Sequence, residues 1–151
     1  MGKMCWFIIV MKIRRANVKD YIQIIELYNG FVGEDRYSKR NNDSFATVLK
    51  QTNSFIFVAE EIDRLAGFIT LSIRTVVRYP KPIAELDELY VKEDFRNKGI
   101  GQKLLQTVIE VAVQHNCYRV YIESHFTHKA AHELYERMGF TNYGFHFTKD
   151  L

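Results

Sequence analysis

Two glycines two positions apart, Gly99 and Gly101, stand where an apolar helical stripe begins, in the segment FRNKGIGQKLLQ. Glycine lets the backbone approach a ligand closely and adopt positive φ. The first four N–H groups of a helix lack partners within the helix and carry a partial positive charge. Arg96 and Lys98 place two cations beside those amides, a combination that suits a diphosphate. The segment therefore predicts an anion site, the alternative being a turn that only joins a strand to a helix.

Two widespread phosphate loops are excluded by their spacing. The Walker loop requires Gly, four residues and then Gly-Lys-Ser/Thr, and the dinucleotide fingerprint requires three glycines followed by a later acidic residue. The segment after Phe95 has neither arrangement. The predicted anion site is therefore of another kind.

A second group of chemically capable residues precedes the glycines, in the strand-like segment AELDELY. It carries Glu85, Asp87 and Glu88. By strand alternation Glu85 and Asp87 share one face and Glu88 the other, unless a bulge intervenes. Three carboxylates are unusual in a mostly apolar strand, and a carboxylate can take the proton that an ammonium group must lose before it attacks. The alternative is solvated charge at a sheet edge.

The elements that must position these residues follow from periodicity and turn signals. Asn17 is predicted to cap a first helix that Asn29 and Gly30 end. The other predicted helices are 43–50, 100–115 and 128–138. The predicted strands are 11–15, 55–60, 66–77, 83–91, 118–123 and one or two closing strands within 140–151.

This order predicts an α+β fold with a mixed, mostly antiparallel central sheet of six to seven strands flanked by about four helices. The sheet is expected to change from hairpins to crossover connections around the strand 83–91. Ligands favour such switch points. The carboxylates and the glycine loop are therefore expected to lie at one site.

Bulk composition predicts one domain over residues 1–151, with residues 1–10 as an extra strand or a leader. The formal charge of +3, with 21 Lys and Arg scattered among 18 Asp and Glu, favours an anionic small ligand over nucleic acid. Cys5 and Cys117 match no disulfide or metal spacing, which indicates a reducing, cytoplasmic setting. His128 and His132 share a helix face, but no metal site is predicted. The apolar run near the start is too short to span a membrane.

Two blocks of sequence carry a specific resemblance. The segment LDELYVKEDFRNKGIGQKLL closely resembles the acetyl-CoA-binding segment of the GCN5-related N-acetyltransferase (GNAT) superfamily. Its signature is Arg or Gln, two residues, Gly, one residue, then Gly or Ala. HKAAHELYERMGF, residues 128–140, is similar to a later helix of that superfamily. Asn97 stands where glycine is commonest and His128 where asparagine is common; asparagine tolerates the left-handed region, so the loop is expected to form.

The resemblance implies a GNAT-like sheet, acetyl-CoA as co-substrate and acetyl transfer to a primary amine of a small molecule by direct attack on the thioester. Tyr135 occupies the position of the superfamily's general acid, with a core aromatic as the alternative, and the base is expected among Glu85, Asp87 and Glu88. The strand ending at Val91 is expected to splay from the strand 118–123, so that the amide of Val91 polarises the thioester carbonyl. The cofactor-binding residues implied by the resemblance are Leu89, Tyr90, Val91, Arg96, Asn97, Lys98, Gly99, Ile100, Gly101, Gln102, His128, Ala131 and Tyr135.

The acceptor is less constrained. GFHFTKDL and AELDEL are similar to the branch of aminoalkylphosphonate N-acetyltransferases, where Glu85 aligns with the expected base. Arg36, Lys39 and Arg40 would then meet an anionic group, unless they belong to a solvated loop. Acetylation of a protein lysine or N-terminus and a non-catalytic acyl-CoA sensor are the competing functions, and a homodimer is expected from the family.

Overall fold

The protein is built on one five-stranded sheet with the order β1-β2-β3-β4-β5. Its structure, a computed structural model, describes residues 11–39 and 42–151. All neighbouring strands are antiparallel except β4 and β5, which are parallel. The change of direction therefore falls at the strand that carries the three carboxylates, as the sequence predicted. The strands are β1 (Lys12–Arg15), β2 (Ser54–Glu61), β3 (Arg64–Arg74), β4 (Ile83–Val91) and β5 (Val120–Ile122).

Helices cover both faces of the sheet. The four α-helices of the described ranges are α1 (Tyr21–Val32), α2 (Asp43–Lys50), α3 (Ile100–Gln114) and α4 (Lys129–Arg137). Short 3-10 turns at Val18–Asp20 and Glu93–Phe95 precede α1 and α3. Within the described part of the chain, no helix combines the length and the apolar character that crossing a membrane would require.

Strand alternation divides the apolar residues into two cores. On one face, Leu104 and Val108 of α3 pack against Ile69 and Leu71 of β3. On the other face, α1 and α2 cover a core that includes Phe68. The side chains of β3 and β4 that point to the α1 and α2 face are therefore the ones available to a site on that side.

The prediction of six to seven strands is wrong for the described residues, which form five. Residues 140–151 contain no strand, and β5 is shorter than the predicted 118–123. The alternating aromatics of this segment, Tyr143, Phe145 and Phe147, are 88%, 93% and 87% exposed. A strand needs a neighbour for its backbone groups and a surface for its apolar face, and this segment has gained neither. The expected extra strand within residues 1–10 lies outside the described residues.

The end of α1 also differs from the prediction. The helix continues through Gly30 to Val32 and ends at Gly33, which has φ of 77° and donates its N–H to the carbonyl of Asn29. A Cβ at Gly30 would lie 2.6 Å from the hydroxyl oxygen of Tyr90. Gly30 is therefore a point of close packing between α1 and the end of β4, and it does not terminate the helix.

Candidate active site

A gap in the sheet begins where β4 and β5 stop pairing. Their parallel ladder consists of Ala84 with Val120, Glu85 with Tyr121 and Leu86 with Ile122. Beyond Leu86, no described strand pairs with this edge of β4. The opening lies beside the half of β4 that runs on to Val91.

In that half of β4, the backbone N–H and carbonyl groups point alternately toward β3 and toward the gap. The N–H of Lys92 bonds to the carbonyl of Ala66 on the β3 side. Because antiparallel pairing uses every second residue, the N–H groups of Leu89 and Val91 point to the open side. The carbonyl of Val91 accepts a hydrogen bond from Arg96 Nε at 2.9 Å. The amides of Leu89 and Val91 are therefore the backbone donors left to an extended ligand.

The glycine loop follows directly and leads into α3. Asn97 and Gly99 have φ of 59° and 76°, both left-handed, and α3 starts at Ile100. A Cβ at Gly99 would meet nothing within 4 Å, so glycine is favoured there by backbone conformation and not by space. Asn97 adopts the left-handed conformation expected of it despite replacing the commoner glycine. The unpaired amides at the start of α3, which include those of Gly101 and Gln102, form an anion-binding geometry.

Cations flank this loop. The guanidinium of Arg96 lies 5.6 Å from the centre of the Tyr90 ring, and Lys98 Nζ lies 5.2 Å from the centre of the Phe95 ring. Arg96 also approaches the exposed Glu93 at 3.5 Å. Aromatic faces thus hold two positive charges beside the start of α3.

Helix α4 borders the gap between β4 and β5. A Cβ at Gly101 would lie 3.4 Å from Leu134 Cδ2 and 3.9 Å from Val91 Cγ2, so α3, α4 and the end of β4 meet here. Tyr135 is half-buried against the same core, its ring 6.1 Å from that of Phe140. Burial raises the pKa of Tyr135. No described residue accepts or donates a hydrogen bond at its hydroxyl.

The two remaining residues implied by the resemblance lie at the start of α4. His128 is exposed, and its ring lies 5.9 Å from that of His125. Ala131 is half-buried in the first turn of the helix. Both residues therefore lie on the element that borders the gap beside Tyr135.

The three carboxylates of β4 lie on one face because the strand contains a bulge. Thr70 pairs with Glu88, but the next residue, Leu71, pairs with Leu86, so Asp87 is the additional residue. Glu85 stands opposite Ser72. Regular alternation would have placed Glu88 on the face opposite Glu85 and Asp87. Because of the bulge, all three carboxylates face α1 and α2.

These carboxylates have different partners. Arg74 Nε donates to Glu85 Oε2 at 2.9 Å. Glu88 accepts a hydrogen bond from Thr70 Oγ1, and the same oxygen accepts the backbone N–H of Glu88 at 3.0 Å. Asp87 has only a long contact of 3.5 Å with Ser72 Oγ. Partial withdrawal from water, followed by the negative charges of Glu88 and Glu85, raises the pKa of Asp87 to about 6, although Ser72 acts to lower it.

An open cleft of about 790 Å³ lies above Asp87 and Glu88, between the sheet and helices α1 and α2. Tyr28, Tyr37 and Phe45 form much of its wall. The ring of Tyr28 lies 4.5 Å from that of Phe68 and 5.7 Å from that of Tyr37. No described residue that lines it is a lysine or an arginine. The cleft is thus aromatic and acidic, which suits a cation.

Other surfaces predicted to bear on the acceptor lie apart from this cleft. Arg36 pairs with Glu34, and neither Arg36 nor Lys39 lines the cleft; Arg40 lies outside the described residues. Tyr79 stacks on Tyr118 at 5.2 Å. A second cleft of about 700 Å³, which includes Arg15, Lys50 and His115 in its lining, contains none of the predicted site residues.

Sequence reasoning missed Tyr28, Thr70 and Ser72. Tyr28 fits the apolar helical stripe of α1, a position that indicates packing. A signal was nevertheless present in β3, where Thr70 and Ser72 alternate within an otherwise apolar run. Two polar residues on one face of a buried strand indicate a polar site above that face.

Comparison with known proteins agrees with this geometry. The sequence model of the Acetyltransferase (GNAT) family matches residues 20–140. An uncharacterized N-acetyltransferase of Methanocaldococcus jannaschii is 29% identical over 134 residues, which are 85% of this chain and 59% of that protein. The chain thus spans well under two thirds of that relative.

Solved structures share the fold. An aminoglycoside acetyltransferase from an uncultured soil metagenomic sample, in complex with sisomicin, aligns with a TM-score of 0.84 at 21% identity, over 93% of this chain and 96% of that one. The aminoglycoside N-acetyltransferase AAC(6')-Iy in complex with CoA aligns at 0.80 and 17% identity, over 95% of each chain. At these identities the likeness concerns the fold alone. The family match covers most of the chain and confirms the recognition at that level: the chain belongs to the acetyltransferase (GNAT) family.

Proposed function

We propose that the chain transfers the acetyl group of acetyl-CoA to a primary amine of a small molecule by direct attack of the amine on the thioester. The observation that carries this proposal is the opening between β4 and β5, where the amides of Leu89 and Val91 face a gap that ends at the glycine loop. An extended pantetheine arm can add to such an edge as a strand would.

The cofactor site would use backbone donors throughout. The amides of residues 98–102 would hold the diphosphate, with Arg96 and Lys98 supplying positive charge. His128 and Ala131 of α4 would border the pantetheine arm. The N–H of Val91 would bond to the thioester carbonyl as its oxygen gains negative charge. Acetyl-CoA itself supplies the activated acyl group.

Two proton transfers complete the reaction. The attacking amine must lose a proton, and Asp87 and Glu88 of β4 lie in the cleft where the amine would enter. The thiolate that leaves must gain one, and Tyr135 is the proposed donor. A phenol is protonated at neutral pH, and burial raises the pKa of Tyr135 further, so its hydroxyl carries a proton when the thiolate leaves.

The lining of the cleft supports a cationic small molecule as the acceptor. Its aromatic and acidic residues suit an amine, and the neighbour of known structure that holds sisomicin is an aminoglycoside enzyme. An aminoalkylphosphonate gains no support from the described lining, which lacks arginine and lysine. Acetylation of a protein amine and a non-catalytic acyl-CoA sensor remain the competing functions, and the cytoplasmic setting and homodimer remain predictions.

A thiol-release assay with acetyl-CoA tests the proposal. The acceptor panel contains monoamines, diamines, aminoglycosides, aminophosphonates and peptides. We expect turnover with cationic small amines and little with aminophosphonates. Turnover restricted to peptides would favour the protein acetyltransferase, whereas coenzyme A binding without turnover of any acceptor would favour the sensor.

The variant Tyr135→Phe tests the proton donor. We expect it to lower kcat by roughly ten- to a thousandfold with coenzyme A affinity nearly unchanged, because only the hydroxyl is lost. Tyr143→Phe, which alters a tyrosine that is 88% exposed, is the matched control and should behave as wild type. Unchanged turnover in Tyr135→Phe would remove this residue from the mechanism.

A further inference from the structure

The bulge in β4 brings two consecutive carboxylates, Asp87 and Glu88, to one face of the sheet at the floor of the acceptor cleft. In a regular strand, consecutive side chains point to opposite faces. Without the additional residue, one of the two would enter the apolar core beneath α3. A bulge that places both acids on the reacting side gives each of them access to the acceptor, but their surroundings differ.

We propose that these neighbours divide the work: Asp87 takes the proton from the acceptor amine, and Glu88 is a fixed group that positions Tyr28. This assignment rests on the proposed acetyl transfer. It identifies which carboxylate acts as the base, a role for which the sequence offered three candidates.

Glu88 is held by its surroundings. Its carboxylate accepts the Thr70 hydroxyl, and its own backbone N–H returns to the same hydroxyl oxygen at 3.0 Å. Tyr28 lies against it, and burial together with the charge and hydrogen bonding of Glu88 raises the pKa of Tyr28. A carboxylate held by hydrogen bonds in this way cannot reorient freely toward a substrate.

Glu85 is occupied in a different way. Its carboxylate forms an ion pair with Arg74, whose Nε lies 2.9 Å from Glu85 Oε2. Glu85 is not part of the cleft lining, whereas Asp87 and Glu88 are. This ion pair already holds one oxygen of the carboxylate, Oε2. Glu85 is therefore the least suited of the three, although the family resemblance aligned it with a base.

Asp87 combines access with basicity. Its side chain is exposed in the cleft, and its nearest polar contact is Ser72 at 3.5 Å. The titratable groups that face it are Glu85 and Glu88 of its own strand and Tyr28 of α1, with Tyr21 and Tyr37 elsewhere in the cleft wall. No described cleft residue offers it a cation. A pKa of about 6 leaves Asp87 mostly ionised at neutral pH and more basic than an ordinary aspartate.

The reaction balances with Asp87, Tyr135 and solvent as the proton carriers. Asp87 accepts a proton from the ammonium group, and the freed lone pair of the nitrogen attacks the thioester carbon. The C–N bond forms and leaves the nitrogen with two hydrogens and a positive charge. The C–S bond breaks, the departing sulfur takes the proton of Tyr135, and the nitrogen loses its second proton to solvent, which gives the neutral amide. Asp87 then returns its proton to solvent, which the open cleft admits, and Tyr135 regains one from the same source.

The experiment measures kcat/KM against pH for wild type, Asp87→Asn, Glu88→Gln and Glu85→Gln, using the best acceptor from the panel. Wild type should lose activity as pH falls through about 6. Asp87→Asn should lower activity by about a hundredfold or more and abolish that acidic limb. Glu88→Gln should lower activity by less than about tenfold and move the limb to lower pH, because it removes the strongest neighbouring negative charge. Glu85→Gln is the matched control and should move it less, because Glu85 contributes least to that shift.

A second readout does not depend on turnover. Carbon NMR of the aspartate carboxyl groups should show Asp87 titrating near pH 6 in wild type and lower in Glu88→Gln. Titration of Asp87 in the ordinary aspartate range overturns the inference whether or not the protein is active. So does an Asp87→Asn variant that keeps its acidic limb, or a Glu88→Gln variant that loses as much activity. A wild type that binds coenzyme A and acetylates no amine instead overturns the proposed function.

Discussion

Two regions of the molecule combine arginine with carboxylates and use them differently. At the start of the chain, Arg14 binds two acids, with Nη1 at 2.7 Å from Asp20 Oδ2 and Nη2 at 2.8 Å from Glu60 Oε1. Asp20 is only 5% exposed and also accepts the backbone N–H of Asn17. Burial alone would raise the pKa of Asp20, but the hydrogen bonds from Arg14 and Asn17 outweigh it and hold the pKa below its usual value.

On β4 most of the carboxylates have no arginine partner among the residues described. Arg74 binds only Glu85, and no described cation faces Asp87 or Glu88 in the cleft. The pKa of Asp87 is consequently raised where that of Asp20 is lowered. The difference teaches that a buried acid matched by an arginine stabilises the fold, whereas the unmatched pair keeps a negative charge available for a ligand.

The largest effect is expected from Arg14→Met. It leaves the buried Asp20 without its cation, and we expect the free energy of unfolding at pH 7 to fall by about 3 kcal/mol in urea denaturation. Arg36→Met removes an exposed pair with Glu34 and is the control; it should leave stability unchanged. Because the pKa of Asp20 is lowered in the folded state, the loss should shrink as pH falls below about 4. Equal losses in both variants would contradict the distinction.

A smaller effect of opposite sign is expected from Asp87→Asn. An acid whose folded pKa is raised favours folding below its unfolded pKa and loses that contribution as pH rises through about 6. At pH 7.5 the asparagine variant should therefore be more stable than wild type, by up to about 1 kcal/mol after allowance for solvent screening. The difference should vanish below pH 4. Asp150→Asn in the exposed tail should show no gain at either pH. A destabilised Asp87→Asn would show that this acid supports the fold.

The smallest effect is expected from Arg74→Met, which removes the cation that pairs with Glu85 of β4. Its pair with Glu85 is largely exposed, so stability should change little. The acidic limb of kcat/KM should move upward by about a few tenths of a pH unit, because the charge of Glu85 on Asp87 is no longer offset. Raising the salt concentration should reduce that shift through screening. A downward shift would show that Arg74 does not act through charge.

Sequence predicted what depends on local signals. The bounds of α2 and α3 follow closely from local sequence, and the left-handed Gly99 follows from the demands of the loop. The end of α1 was missed because glycine is required at Gly30 by close packing against Tyr90, a residue far along the chain. The bulge at Asp87 depends on pairing with Thr70, which no single segment encodes.

The C-terminal strands illustrate the opposite error. Tyr143, Phe145 and Phe147 alternate as strand residues do, but alternation only makes a segment suitable for a sheet. Pairing requires an accessible edge in register, and these aromatics remain exposed. The carboxylates of β4 were found because charge within an apolar strand is visible in the sequence, whereas their different roles required knowledge of Thr70, Tyr28 and Arg74.

The close packing of Gly30 on Tyr90 has a consequence for kinetics. The side chain of Tyr90 packs against α1, and α1 carries one wall of the acceptor cleft. The same ring also contacts the guanidinium of Arg96, which flanks the glycine loop. A ligand that displaces Arg96 must disturb this ring, and the absence of a side chain at Gly30 leaves the hydroxyl directly against the helix. Given the proposed function, we expect occupancy of the nucleotide end and affinity for the acceptor to be reciprocally linked. We expect ordered addition, with the thioester entering first and tightening the subsequent capture of the amine.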